Sequence, residues 1–147
     1  MFFNWIRNKS VSAQNGQWGE ALAAALLCRK GYRIVGRNVR PCEKDRRLEI
    51  DLIAQEKSSK TIVFVEVKQS QTATPHPVRL RRVDQHKRDL LRRACQQWLR
   101  LTEWSGGYRF DVIEIYGAPD SHEAPLIDHI ERVRLFAPRE RYVNWAV

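Results

Sequence analysis

The sequence predicts an α/β domain built on a mixed β-sheet, and three observations carry that expectation. Four apolar stretches of strand length lie at 32–40, 47–54, 61–68 and 108–116. Two longer stretches, 16–30 and 78–102, have helical composition or spacing. Polar or glycine-containing turns separate them, giving the order αβββαβ with an extra C-terminal strand at 126–133. Helices and strands interleaved in this way form two or three packed layers. A chain of 147 residues is long enough to bury a core and short enough for one domain. We read 1–147 as that single domain, with the core at about 15–131 and the tail 134–147 left unassigned because Pro138 interrupts it.

The first helix rests on Ala21, Leu22, Ala23, Ala24, Ala25, Leu26 and Leu27, mostly strong helix formers. Asn15 is its expected N-cap and Gly31 its C-terminal stop, just past Arg29 and Lys30. Its apolar residues run nearly all round, which predicts packing on more than one side. Strand 32–40 carries Ile34 and Val39 among basic residues, and Glu56-Lys57-Ser58-Ser59-Lys60 is a hairpin link between the next two strands. Ile62-Val63-Phe64-Val65 is apolar on both faces, as a covered central strand requires. A Thr-, Ser- and Pro-rich loop at 70–77 leads to the second helix, whose stripe is Leu80, Val83, Leu90, Leu91, Ala94, Trp98 and Leu101. Gly106-Gly107 turns the chain into the fourth strand.

The formal net charge is +9, which attracts polyanions, nucleic acid first. Cys28, Cys42 and Cys95 form no C-x-x-C pair and lie near no histidine in sequence, so reduced thiols are expected rather than a disulfide framework or a structural zinc. The N-terminal apolar residues are too few for a signal peptide, and the run from Ala21 to Cys28 is too short to span a bilayer. A cytoplasmic protein with no membrane partner is expected. No G-x-S-x-G elbow, G-K-[ST] loop or H-E-x-x-H helix occurs, which argues against acyl hydrolase, P-loop and zincin chemistry.

Chemistry enters through Leu48-Glu49-Ile50-Asp51-Leu52-Ile53 and Val63-Phe64-Val65-Glu66-Val67-Lys68. An acid inside an apolar strand must find a cation, a metal or hydrogen-bond donors. Alternation puts Glu66 and Lys68 on one face, with Cα atoms roughly 7 Å apart. If the two strands pair through the hairpin, Asp51 and Glu66 converge, and two such carboxylates repel unless a positive charge lies between them. Mg²⁺ or Mn²⁺ suits that oxygen-rich site, with Lys68 beside it to orient water or steady charge on a phosphate. The competing account is a surface salt bridge on an edge strand. Glu49 reads as a neighbour or strand-edge charge, and Gln69 as a hydrogen-bonding group near the site.

The chain resembles the YraN family, a bacterial group similar to endonucleases of the restriction-endonuclease-like, Holliday-junction-resolvase type. The resemblance rests on Gly16-Gln17-Trp18-Gly19-Glu20, Gly31-Tyr32, Arg37-Asn38-Val39-Arg40, Glu49-Ile50-Asp51-Leu52-Ile53, Phe64-Val65-Glu66-Val67-Lys68, Arg109-Phe110-Asp111-Val112 and Asp128-His129-Ile130, in that order. It implies a restriction-endonuclease-like core, with Glu20, Asp51, Glu66 and Lys68 as the catalytic set and Glu20, Asp51 and Glu66 on the metal. Leu48 stands where the family has glycine, Ser70 where it often has a basic residue, and 72–77 lacks the family's aromatic-glycine pair. Those departures touch substrate contacts rather than the acids. Without the resemblance, Glu20 reads equally well as an acid favoured by the helix N-terminus.

Arg79, Arg81, Arg82, Lys87, Arg88, Arg92 and Arg93 are the expected nucleic-acid contacts, extended by Arg33, Arg37 and Arg40; the competing account is a solvated helix face. Trp98, Trp104 and Trp145 suit packing better than base stacking, and His129 suits a structural role. The resulting expectation is a Mg²⁺- or Mn²⁺-dependent nuclease acting on DNA, including branched or structured DNA, with a homodimer as the resolvase-like arrangement. Its rivals are a non-catalytic nucleic-acid-binding module of the same fold and a protein whose basic face meets an acidic partner.

Overall fold

The structure is a computed structural model that describes residues 11–71 and 85–136, with side chains from Gly16 onward in the first helix. Seven elements follow in order: α1 (Val11–Arg29), β1 (Tyr32–Val39), β2 (Ile50–Glu56), β3 (Ile62–Ser70), α2 (Gln85–Thr102), β4 (Tyr108–Tyr116) and β5 (Leu126–Ile130). The five strands form one sheet in chain order. The β1–β2, β2–β3 and β4–β5 pairs are antiparallel, and β3–β4 is parallel. A parallel return needs a crossover, and α2 lies within it.

Helices cover both faces, so the layers number three. Ala23, Ala24 and Leu27 of α1 pack with Leu52, Ala54, Val63, Val65, Ile113 and Ile115 on one face. Leu91, Ala94 and Cys95 of α2 pack with Ile53, Phe64, Phe110 and Val112 on the other. β3 is central, with Ile62 to Val65 all buried, as its two-faced apolar pattern predicts. Phe64 anchors the α2 side, edge-on to Trp98, Tyr108 and Phe136. Trp104 donates its indole N–H to the Gly107 carbonyl at 3.0 Å. The described members of the tryptophan set are thus used in packing, and Trp145 lies outside the described residues.

Several sequence boundaries need correction. α1 runs through Asn15 rather than starting there. Asn and Gly weaken a helix by only about 1 kcal/mol each, less than a long Ala- and Leu-rich segment recovers. Nor is α1 covered all round: Ala21, Ala25 and Cys28 form an exposed stripe. Alanine suits a helix whether buried or not, so composition there did not report burial. Gly31, at φ +91°, stops the helix as expected.

β2 starts at Ile50, not at position 47, because Asp45–Leu48 is a turn closed by Leu48 N–H to Asp45 O at 3.2 Å and by the Asp45–Arg47 pair. β3 continues to Ser70, and β5 ends at Ile130. The tail begins in the core: Leu135 and Phe136 are buried, and Val133 N–H reaches Phe110 O at 2.8 Å. The part of the second helix expected at 78–84 lies outside the described residues. Among described residues no helix is long and apolar enough to cross a membrane.

Candidate metal centre

The centre forms where β2 parts from β3. Their ladder runs from Gln55↔Ile62 to Leu52↔Val65, after which β3 pairs, among the described residues, only with β4. Ile50 packs on the α2 side and Leu52 on the α1 side, so regular alternation breaks at Asp51. Across from it on β1, between the Arg37↔Leu52 and Val39↔Ile50 pairs, Asn38 has φ 48°. Asparagine is among the few residues that tolerate this region. The Asp51 carboxylate then replaces the lost ladder, accepting the Val67 N–H at 2.9 Å.

That position brings Asp51 against Glu66, which is 5% exposed. A hydrogen bond between two carboxyl groups needs a proton on one of them, which favours the neutral form of Asp51 here. Burial, then the charge of Glu66, and more weakly that of Glu20, push the Asp51 carboxyl up to about 8; the Val67 N–H opposes the shift without reversing it. Glu20 approaches from α1 and accepts a hydrogen bond from the Asn38 amide at 3.0 Å. Glu20, Asp51 and Glu66 do not close into a group with all three ligand atoms within 4.8 Å of one another.

Two ammonium groups flank this pair. Lys87 of α2 lies 2.6 Å from Glu66. Burial works against its charge, but Glu66 and Asp51 hold its pKa above the ordinary lysine value. Lys68 shares the Glu66 side of β3, and its pKa falls below the ordinary value through burial and then the nearby charge of Lys87. Lys68 stands in register with Glu114 of β4, which is 3% exposed. Tyr116 donates its hydroxyl to one Glu114 oxygen, while the other, Oε1, is buried with no hydrogen-bond partner among the described residues. Burial, then Asp128, raises Glu114 to about 7 against the pull of Lys68. The Gln69 Oε1 is buried in the same unsatisfied way, and a Cβ placed on Gly19 would come within 2.9 Å of it. Gly19 therefore lets α1 approach this end of the sheet. Glu49 forms a half-exposed ion pair with Arg40 at 3.3 Å.

A second acidic centre lies on the α1 face of β4 and β5. Asp111, His129 and Glu131 bring ligand atoms within 4.8 Å of one another, so this group could hold a metal ion. Its chemistry differs from that of the Asp51 pair. Asp111 is fully buried and accepts from Arg109 Nε at 3.0 Å, Arg109 Nη2 at 3.2 Å, His129 Nε2 at 2.8 Å and the Arg132 N–H at 3.0 Å. Lys30 Nζ lies 2.6 Å from His129 Nδ1, so a neutral ring with its proton on Nε2 satisfies both contacts. These partners outweigh burial and hold the Asp111 pKa below the usual carboxylate value. The Arg109 guanidinium also contacts Tyr32, Glu56 and Glu131 and already supplies the cation. A metal at Asp111 would have to displace it.

The basic residues expected to meet nucleic acid divide into two groups. Arg79, Arg81 and Arg82 lie outside the described residues. The others have protein partners: Lys87 meets Glu66, Arg88 donates to the Arg134 carbonyl, Arg92 pairs with Asp89, and Arg93 lies 3.7 Å from Asp45. Arg33 likewise donates to Gln55 at 2.9 Å.

Sequence reasoning assigned no roles to Asn38, Glu114, Arg109 or Asp111. Asp111 carries the same signal as Asp51, an acid in an apolar strand, and Arg109 two positions earlier marks the satisfied version of it. The contacts of Asn38 depend on backbone geometry and left no such mark.

A raised carboxyl pKa contributes stability that is complete below the unfolded value, 3.8 for Asp51, and is lost as pH rises through about 8. The metal-free protein is expected to weaken between about pH 5 and about pH 8, and Asp51→Asn to remove that part of the slope. Urea unfolding of both proteins in chelator measures this, and identical pH profiles would contradict it.

Comparison with known proteins places these residues in a family. The profile described as "Uncharacterised protein family UPF0102" matches residues 19–115. A UPF0102 protein of Rhodopirellula baltica is 39% identical over 122 residues, covering 82% of this chain and 70% of its own. One from Caldanaerobacter subterraneus subsp. tengcongensis is 35% identical over 116 residues, covering 78% of this chain and 89% of its own. One from Mycobacterium tuberculosis is 37% identical over 123 residues, covering 82% and 91%. The chain belongs to the uncharacterised protein family UPF0102, and its three-layer α/β fold is compatible with a restriction-endonuclease-like core.

Proposed function

We propose that this protein is a metal-dependent nuclease that hydrolyses phosphodiester bonds in DNA, branched or structured DNA included. The observation that carries the reading is Asp51: a buried carboxyl set against Glu66 where the β2–β3 ladder ends, its pKa pushed up to about 8 by burial and then by the Glu66 charge. The donors fit a hard divalent ion, because carboxylate oxygens suit Mg²⁺ or Mn²⁺. When bound, such an ion polarises a phosphoryl oxygen and lowers the pKa of a coordinated water. Asp51 and Glu66 are the ligands, with Asp51 giving up its proton on binding. Glu20, held by Asn38, supports the charge from the α1 side. Lys68, two residues from Glu66 on the same strand, orients the attacking water or steadies the phosphate charge.

The second reading is a nucleic-acid-binding module without catalysis. It is favoured by Lys87, whose ammonium already lies on Glu66.

Calorimetric Mn²⁺ titration beside cleavage of single-stranded, duplex, flapped and four-way DNA tests the assignment. Asp51→Asn or Glu66→Gln is expected to lower Mn²⁺ affinity and abolish cleavage. Lys68→Ala is expected to keep the metal and lose cleavage, because an ammonium has no lone pair to offer a metal. Wild-type metal affinity and cleavage in all three variants would falsify the site.

Nucleic-acid binding is proposed to be weak, sequence-independent and carried by the α2 arginines. Changing Arg88, Arg92 and Arg93 together to Gln, which keeps side-chain donors for their protein partners, is expected to weaken DNA binding. The salt slope should flatten by about one unit for each phosphate that is no longer neutralised. An unchanged affinity and slope would reduce the helix to a solvated face.

A further inference from the structure

We propose that Lys87 is a tethered counter-cation that occupies the place of the divalent ion at Glu66 and must be displaced before that ion can bind. This rests on the metal-site reading above and adds its regulation.

The geometry points to displacement rather than to an incidental surface pair. The Lys87 side chain is 55% exposed, yet its ammonium turns toward a carboxylate whose side chain is 6% exposed, at 2.6 Å. A long flexible cation that lies half in water has no need of a buried partner, whereas a buried carboxylate needs a cation. Glu66 therefore accounts for the contact. The same ammonium feels Asp51 and Glu49, so it serves the acid pair as a whole. It also crowds Lys68, with which it has no attractive interaction.

A divalent ion between Asp51 and Glu66 would bring two positive charges to the position that Lys87 serves with one. Both cannot stay at hydrogen-bond distance from the same carboxylate oxygen, because like charges at that separation repel. The metal therefore competes with a cation already present at very high local concentration, which lowers its apparent affinity. Lys87 is carried on α2 by a flexible stem, so its ammonium can leave Glu66 without moving the helix. Once released, it remains beside Lys68 at the site's mouth, where an anionic phosphodiester is the next available partner. Metal occupancy thereby exposes a positive charge for the substrate.

The test is calorimetric Mn²⁺ titration of the full chain, free of nucleic acid, as wild type, Lys87→Met and Lys87→Arg. Methionine keeps the unbranched stem and helix propensity while removing the charge. Lys87→Met is expected to bind Mn²⁺ about tenfold more tightly or better, and Lys87→Arg to stay within about threefold of wild type. In chelator, Lys87→Met should melt below wild type, because Glu66 is left buried and unpaired, and Mn²⁺ should raise its melting temperature more. Mn²⁺ affinity in Lys87→Met equal to or weaker than wild type, with wild type binding, overturns this proposal and leaves the metal site standing. No Mn²⁺ binding by any of the three proteins, each melting cooperatively, overturns both.

Discussion

A carboxylate taken out of water must be given positive charge or hydrogen-bond donors, and this sheet shows both outcomes. Asp111 receives four hydrogen bonds, two of them from the Arg109 guanidinium, and its pKa falls below the usual value. Asp51 receives one backbone N–H, faces another carboxyl group, and its pKa rises far above the usual value. Both residues lie on strands of one sheet and have the same side chain. The difference lies in what surrounds them. A satisfied carboxylate holds the fold together, while an unsatisfied one is stable only with a proton or a bound cation. That contrast is why we propose the functional centre at Asp51, although Asp111, His129 and Glu131 cluster more tightly.

The fold produces the unsatisfied pair by ending one ladder early. β2 and β3 separate after Leu52↔Val65, and Asn38, across from Asp51 on β1, takes a positive φ. Among the described residues, Glu66 is thereby left on a central strand with no strand pairing on one side. α1 reaches this end because Gly19 leaves room for Gln69, and α2 reaches it through Lys87. The sheet contributes Asp51, Glu66 and Lys68, α1 contributes Glu20 and α2 contributes Lys87, so the site depends on the assembled fold rather than on any one element.

Much of this was legible in the sequence. The acids at 51 and 66 were conspicuous because strand alternation placed them among Val, Ile and Leu, where only a paired or ligating acid is stable. β3 was recognisable as central from Ile62-Val63-Phe64-Val65, and β4 as a strand at 108–116. The start of β2 was not, since the apolar Leu48 belongs to a turn set by the Asp45–Arg47 pair. The helix start at Asn15 failed because a local capping signal was outweighed by the rest of the segment. No role was read for Glu114 or Asn38, because those roles come from cross-strand register and a single positive φ, neither of which leaves a residue pattern. Lys87 was visible only as one cation in a basic run; its pairing with Glu66 spans 21 positions, the difference between 87 and 66, and is a tertiary fact.

The central claim is that the adjoining Asp51 and Glu66 carboxyl groups, not the cluster at Asp111, mark the cation site. Crystals of the protein soaked in Mn²⁺ and measured at the manganese absorption edge test it most directly. The account predicts an anomalous peak between the Asp51 and Glu66 carboxylates, with Asp111 still bound by Arg109. A peak among Asp111, His129 and Glu131, with none at Asp51, would contradict it.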